Sequence, residues 1–269
     1  MTNTRVGKVL DGLFRFAGRA ILAVFLCFLI LPALFIAVLS FASDPHIAFP
    51  PRSWGLDRYV EVFTSDTWLG PIGLSLTIAA VTAVVTLVVA VPAMFALKRG
   101  KVPGGGVVES AAIAPMLFPV AAYAVGMYGV FAQFRLIGTF GGIVIAHVIT
   151  AIPLVVILLS TAMDQIRPEL ELAAMTMGAA RARAWAGITA RLLLPAILAA
   201  AIFAFILSFD EAVFISFLGG PGLVTLPKYI FDSVQFGVDP AITAVATLLM
   251  VVTAALMSGA TVLRGGRSR

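Results

Sequence analysis

Asp164-Gln165-Ile166-Arg167-Pro168-Glu169-Leu170-Glu171-Leu172-Ala173-Ala174-Met175-Thr176-Met177-Gly178 opens a polar, basic, helix-prone stretch that runs on through Ile188 to Pro195. Long apolar segments flank it on both sides. Pro168 suits the first turn of a helix, where a missing N–H costs nothing. Glu169 and Glu171 then lie at the positive end of the helix dipole. Leu170, Ala173, Ala174 and Met177 recur at helical spacing and give an apolar face. Gly178 breaks or bends that helix, and a second short helix is expected from about Ala179 to Arg191. Two short helices joined at a glycine make a rigid knob; the plainer alternative is a loop helix packed on the bilayer. A membrane protein that keeps such an element in the cytoplasm is expected to use it as a docking surface for a soluble partner.

The flanking segments set the class. The chain is 61% hydrophobic and 12% charged, against roughly half and a quarter in soluble domains. Lipid is therefore the expected solvent. A spanning helix needs about 20 mostly apolar residues, and six stretches qualify: 18–41, 70–97, 107–131, 141–163, 192–218 and 241–263. The first is too long for a signal-peptide core and is read as a retained anchor. The runs are continuous rather than alternating, which excludes a β-barrel. The expected fold is an all-α membrane protein with six transmembrane helices, built as one transmembrane domain over residues 1–269.

Basic residues set the orientation. With the N-terminus in the cytoplasm, the inside holds Arg5, Lys8, Arg15, Arg19, Lys98, Arg99, Lys101, Arg167, Arg181, Arg183, Arg191, Arg264, Arg267 and Arg269. The outside holds only Arg52, Arg58, Arg135 and Lys228. Six spans then return the C-terminus to the cytoplasm. The formal charge of +5 is thus topological; it attracts acidic lipid headgroups and gives no case for nucleic acid. Thr4–Arg19 reads either as an amphipathic helix on the inner surface or as a simple basic flank.

Between the first two spans, Pro45, Pro50 and Pro51 precede Trp54, Tyr59, Phe63 and Trp68. The aromatics suit an interface belt or a partner-contacting loop. Pro92, Pro115, Pro119, Pro153 and Pro195 fall inside expected spans, where each kinks a helix and frees carbonyls. Gly219 to Gly222 read as an outer turn. Cys27 is the single cysteine, so no internal disulfide is expected. His46 and His147 lie far apart without companion ligands; no metal site is expected, and each is read as packed or hydrogen-bonded. No phosphate loop of the Gly-x-x-x-x-Gly-Lys-Ser/Thr type is present, and Lys98-Arg99-Gly100-Lys101 reads as a turn.

Counted from Gly178, the stretch resembles the coupling loop of ABC-importer permeases, Glu-Ala-Ala, three residues, Gly, nine residues, Ile-x-Leu-Pro. Ala173, Ala174, Gly178 and Ile188 match. Leu172 stands at the Glu position, with Glu171 just before it, and Ala190-Arg191 replace Leu-Pro. Farther on, Leu207-Ser208-Phe209-Asp210-Glu211, Gly219-Gly220-Pro221-Gly222, Thr225-Leu226-Pro227 and Phe236-Gly237-Val238-Asp239-Pro240 follow in order. This succession is similar to the spermidine/putrescine branch of those permeases. The resemblance implies a binding-protein-dependent type I importer permease, multi-pass in the bacterial inner (plasma) membrane. It implies a second permease subunit in a heterodimer, two cytoplasmic ATPase subunits and an external, periplasmic substrate-binding protein. The loop at about 164–191, with Glu171, Ala173, Ala174, Gly178 and Ile188, would couple to the ATPase, and substrate would cross by alternating access. This subunit would be no enzyme and would carry no cofactor, ATP and Mg being bound by the partners. Phosphonate, opine or iron permeases are alternatives of the same class; a proton-coupled secondary transporter and a passive channel are the alternatives outside it.

Asp210 and Glu211 lie inside the fifth apolar run, where an acid costs roughly 2.5–3.5 kcal/mol and by default faces a cavity or a partner. They are about 100° apart on a helix, so one narrow pathway cannot take both equally. Asp210 is assigned to the substrate pathway, with Glu211 lining its other side or meeting the partner subunit. Polyamine ammonium groups would pair with such carboxylates. The alternatives are a salt bridge within the assembly or a pair held neutral by burial. Ser208 reads either as a pathway hydrogen-bond donor or as back-bonded to its own helix. Tyr123 offers the polar handle of an aromatic cation site.

Overall fold

The computed structural model describes residues 5–100, 102–237 and 239–265, with side chains from residue 12 to residue 255 of those. The side chains of Arg5, Lys8, Lys101, Arg264, Arg267 and Arg269, and half of the Thr4–Arg19 pattern, fall outside the described residues. The regular structure of the described residues is helical, apart from one isolated antiparallel bridge between Ala42 and Trp54. It divides into two compact units, Met1–Trp68 with Ser233–Arg269, and Leu69–Asp232.

In the first unit, α1 (Arg5–Leu39) packs against α12 (Ile242–Gly265), and α12 against α2 (Asp57–Thr64). Arg58 ties the unit together. It is 4% exposed and donates to Leu39 O at 2.5 Å, Thr243 Oγ1 at 3.0 Å and Asp44 O at 3.2 Å. A cation suits the open carbonyls at the end of α1, and the contacts compensate a guanidinium that burial would otherwise destabilise. Counted in sequence only as a topological charge, Arg58 is a structural staple. Of the aromatics that follow the first long helix, Trp54 and Phe63 are exposed and Trp68 is fully buried.

The second unit begins in α3 (Asp66–Arg99) and holds α4 (Gly105–Ile113), a 3-10 turn Ala114–Leu117, α5 (Val120–Gln133), α6 (Phe140–Gln165), α7 (Glu169–Thr176), α8 (Arg181–Ala184), a π-helical turn Trp185–Thr189, α9 (Ala190–Phe209), α10 (Val213–Leu218) and most of α11 (Leu226–Phe236). One core joins α3, α6 and α9 through Ala83, Met94, Ala151, Leu159, Leu193 and Ala200. Alanines at these crossings let backbones approach closely, which is how helices pack where lipid removes the hydrophobic drive. A second core gathers Ile78, Met127, Ile143, Phe214 and Leu218 from α3, α5, α6 and α10.

Among the described residues, four helices are long and apolar enough to cross a membrane: Gly12–Leu39, Asp66–Arg99, Phe140–Gln165 and Arg181–Phe209. The expected span at 107–131, with kinks expected at Pro115 and Pro119, is broken into two helices. Gly105–Leu117 and Val120–Gln133 meet at 110°, because Phe118 is extended and Pro119, with no N–H to give, caps α5. Together they account for a fifth crossing at most. The expected span 192–218 is also corrected: its helix starts at Arg181 and stops at Phe209. At the sixth position α12 is helical, and Ile242–Ala255 is its described apolar part. Pro92, Pro153 and Pro195 are carried inside helices; Pro115 and Pro119 sit at the break.

Candidate functional site

The knob forms where the residues require it. Pro168 precedes α7, and Glu169 and Glu171 lie in its first turn. The helix ends because Gly178 adopts φ +92°, a left-handed conformation that costs other residues roughly 1–2 kcal/mol. Gly178 N–H donates to Met175 O at 3.0 Å and Ala179 N–H to Ala174 O at 3.0 Å, the paired bonds of a Schellman cap. Beyond it the chain re-enters a helix at Arg181 without leaving it until Phe209. The expected separate helix Ala179–Arg191 is therefore the start of the following membrane helix, with a π-helical turn at Trp185–Thr189 that contains Ile188.

The knob exposes an apolar patch beside the exposed Arg167–Glu169 pair. Met177 is 88% exposed, Leu172 55% and Leu170 45%; Ala173 is exposed and Ala174 and Ile188 are half-buried. Glu171 turns the other way and is 5% exposed. Its carboxylate accepts from Arg99 Nε at 2.8 Å and from the Thr189 hydroxyl. Burial alone raises this carboxyl, but the hydrogen bonds from Thr189 and Arg99 outweigh it and hold the group below its usual value. Arg99 also donates to Ile166 O at 2.8 Å. Arg181 donates to Arg99 O at 2.6 Å and lies 4.9 Å from the centre of the Trp185 ring. A single arginine at the end of α3 thus grips both sides of the Gly178 turn.

Beside this clamp, Lys98 pairs with Glu109 at 3.1 Å and Asp164 at 3.2 Å, and Ser160 donates to Glu109. Sequence reasoning missed Arg99, Thr189, Lys98 and Glu109 as site residues. Arg99 and Lys98 carried a signal, a basic pair at the end of a span, but it was read as topology alone.

The acid pair sits at a helix end, not inside a continuous span. Asp210 caps α9 and is exposed. Glu211 accepts from the backbone N–H groups of Val213 at 2.6 Å and Phe214 at 3.1 Å, so its carboxylate caps α10. Ser208 is not back-bonded; its Oγ lies 2.7 Å from His147 Nδ1 in a buried contact. The Phe214 ring packs edge-on against His147 at 6.5 Å and against Tyr123 at 6.0 Å. Ser208, Glu211 and Tyr123 are therefore drawn together around Phe214 and His147, while the Asp210 side chain stands apart at the surface. The packed reading suits His147, 1% exposed; His46 is exposed. Tyr123 also lines a cavity of about 440 Å³ with Phe118, Met127, Val130 and Ile149. No cluster of three metal-ligating side chains occurs among the described residues.

Comparison with known proteins gives the geometry a lineage. The family described as "Binding-protein-dependent transport system inner membrane component" matches residues 79–264. The Putrescine transport system permease protein PotI of Escherichia coli (strain K12) is 32% identical over 230 residues, covering 83% of this chain and 82% of that protein. The Spermidine/putrescine transport system permease protein PotC of Haemophilus influenzae is 27% identical over 243 residues, covering 90% of this chain and 94% of that protein. In fold, the chain is similar to a bacterial ABC transporter involved in the import of the acidic polysaccharide alginate, with a TM-score of 0.77 at 15% identity over 98% of this chain and 99% of that one. The protein belongs to the binding-protein-dependent transport system inner membrane components and is a multi-pass permease of the ABC importer class.

Proposed function

We propose that the chain is the permease subunit of an ATP-driven polyamine importer, with residues 1–269 acting as one permease domain. The observation that carries this reading is the Gly178 elbow. It presents Leu170, Leu172 and Met177 outward while the Arg99–Glu171 pair fixes it to the end of a membrane helix. A surface that is apolar outside and ion-paired beneath suits a cleft in a soluble motor. The partners are two cytoplasmic ATPases that bind ATP and Mg, a second permease subunit and an external binding protein. Both termini lie in the cytoplasm, as the distribution of Lys and Arg supports.

Polyamine is the substrate class that two lines support. PotI and PotC are named for putrescine and spermidine/putrescine, and Asp210 offers an exposed carboxylate at the end of α9. Ammonium groups pair with such carboxylates by charge-assisted hydrogen bonds. Tyr123, Ser208 and Glu211 support the neighbouring packing around Phe214 and His147 rather than meeting Asp210, Glu211 through its cap on α10. The test is uptake of radiolabelled putrescine into vesicles carrying the assembled transporter. ATP-dependent uptake is expected, together with co-purification of an ATPase that a bulky residue at Gly178 abolishes. Uptake that persists without ATP and collapses with the proton gradient would overturn the reading.

A further inference from the structure

We propose that this permease holds an anionic phospholipid at the basic end of α3, its acyl chain in a trough against the Arg181–Phe209 helix and its phosphate on Arg181. Two cavities adjoin there. One, of about 550 Å³, is apolar and is lined by Val91, Phe95, Trp185, Ala186 and Ala190. The other, of about 620 Å³, is lined by Lys98, Arg99, Glu171 and Arg181. Gly100 borders both.

The order of these linings along α3 is the argument. Val91 and Phe95 lie on the apolar body of a membrane helix, and Lys98 and Arg99 lie in its last turn. On the facing helix, Ala190 and Ala186 lead outward to Trp185 and Arg181 in the same order. Grease thus gives way to an indole and then to cations at the depth where a headgroup sits. A free anion would use only the basic half of this surface.

Charge accounting selects the anchoring residue. Lys98 is neutralised by Glu109 and Asp164, and Arg99 by Glu171. Arg181 has no carboxylate partner among the described residues. It gives one nitrogen to Arg99 O and rests on the Trp185 ring, so its remaining N–H groups are held in place and available. A planar guanidinium fixed in this way suits the two oxygens of a phosphodiester.

The test uses the assembled transporter reconstituted in vesicles of equal parts phosphatidylglycerol and phosphatidylcholine, then extracted mildly and weighed by native mass spectrometry. The wild type is expected to retain phosphatidylglycerol selectively. Arg181→Gln should lower that preference about fivefold, the contribution of one basic residue near an anionic surface. Ala186→Trp, which fills the trough, should remove both lipids. Three results would overturn the proposal: no preference in the wild type, unchanged retention in Arg181→Gln, or loss of the ATPase from Arg181→Gln with lipid content unaltered. The last would assign the surface to a protein contact. Bound lipid is read directly, so the outcome does not depend on which solute is transported.

Discussion

His147 and Ser208 stand 61 positions apart, and a buried 2.7 Å contact between His147 Nδ1 and Ser208 Oγ ties α6 to the last turn of α9. The other ring nitrogen, Nε2, has no hydrogen-bond partner among the described residues. Ser208→Ala would therefore leave the ring without a polar contact. The expected cost is about 1–2 kcal/mol, measured as equilibrium unfolding in detergent. Ser208→Thr, which keeps the hydroxyl, should recover most of it.

Gly178 has open space around it: a Cβ there would meet no atom within 4 Å. Substitution acts through backbone strain alone. Gly178→Ala is expected to cost ~1–2 kcal/mol, and Gly178→Asn less, because asparagine tolerates the left-handed region. Binding of the cognate ATPase, followed by co-purification, should weaken in the order Asn, Ala, Val. Equal binding by all three would mean that the turn is not what the partner recognises.

The Arg99–Glu171 pair gives a signed pH dependence. Glu171 is held below its usual value of 4.5, so the stability it adds is fully present above about pH 4.5 and is lost as pH falls through the lowered folded value. Fluorescence assigned to Trp185, by difference against Trp185→Phe, should be steady near neutrality and change in acid. Glu171→Gln should abolish the acid transition. Arg99→Met, which strands a buried carboxylate, is expected to destabilise the elbow by about 3 kcal/mol.

Asp210 and Glu211 should separate cleanly. Glu211→Ala removes the cap of α10 and should cost ~1 kcal/mol in stability. Asp210→Asn should leave stability unchanged and reduce uptake of a cationic substrate about tenfold, the loss of one charge-assisted contact of ~1.5 kcal/mol. Equal uptake by wild type and Asp210→Asn would remove Asp210 from the pathway.

The elbow was legible in the sequence because its causes are local. Pro168, the acids of the first turn and Gly178 each act within a few residues, and the observed helix ends where they direct. The clamp beneath it was not legible. Arg99 and Glu171 are 72 positions apart, and no local pattern marks two such side chains as partners. Hydropathy located the long helices but carries no direction: Pro119 marked a kink, yet the same signal at Pro153 and Pro195 leaves helices continuous, so the 110° size of the turn was not legible. The fifth run continued past Phe209 in hydropathy because α10 is as apolar as α9. The break there comes from Glu211, whose carboxylate satisfies the backbone N–H groups of a new helix. Read as a buried charge in search of a ligand, it is first a builder of the chain's own geometry.

The π-helical turn at Trp185–Thr189 keeps Arg181–Phe209 a single helical rod of 29 residues, about 44 Å at ~1.5 Å per residue. One end begins three residues after Gly178 and the other stops one residue before Asp210. Only the four residues 177–180 separate this rod from the knob helix, so the elbow and the Asp210 carboxylate flank the two ends of one continuous hydrogen-bonded element.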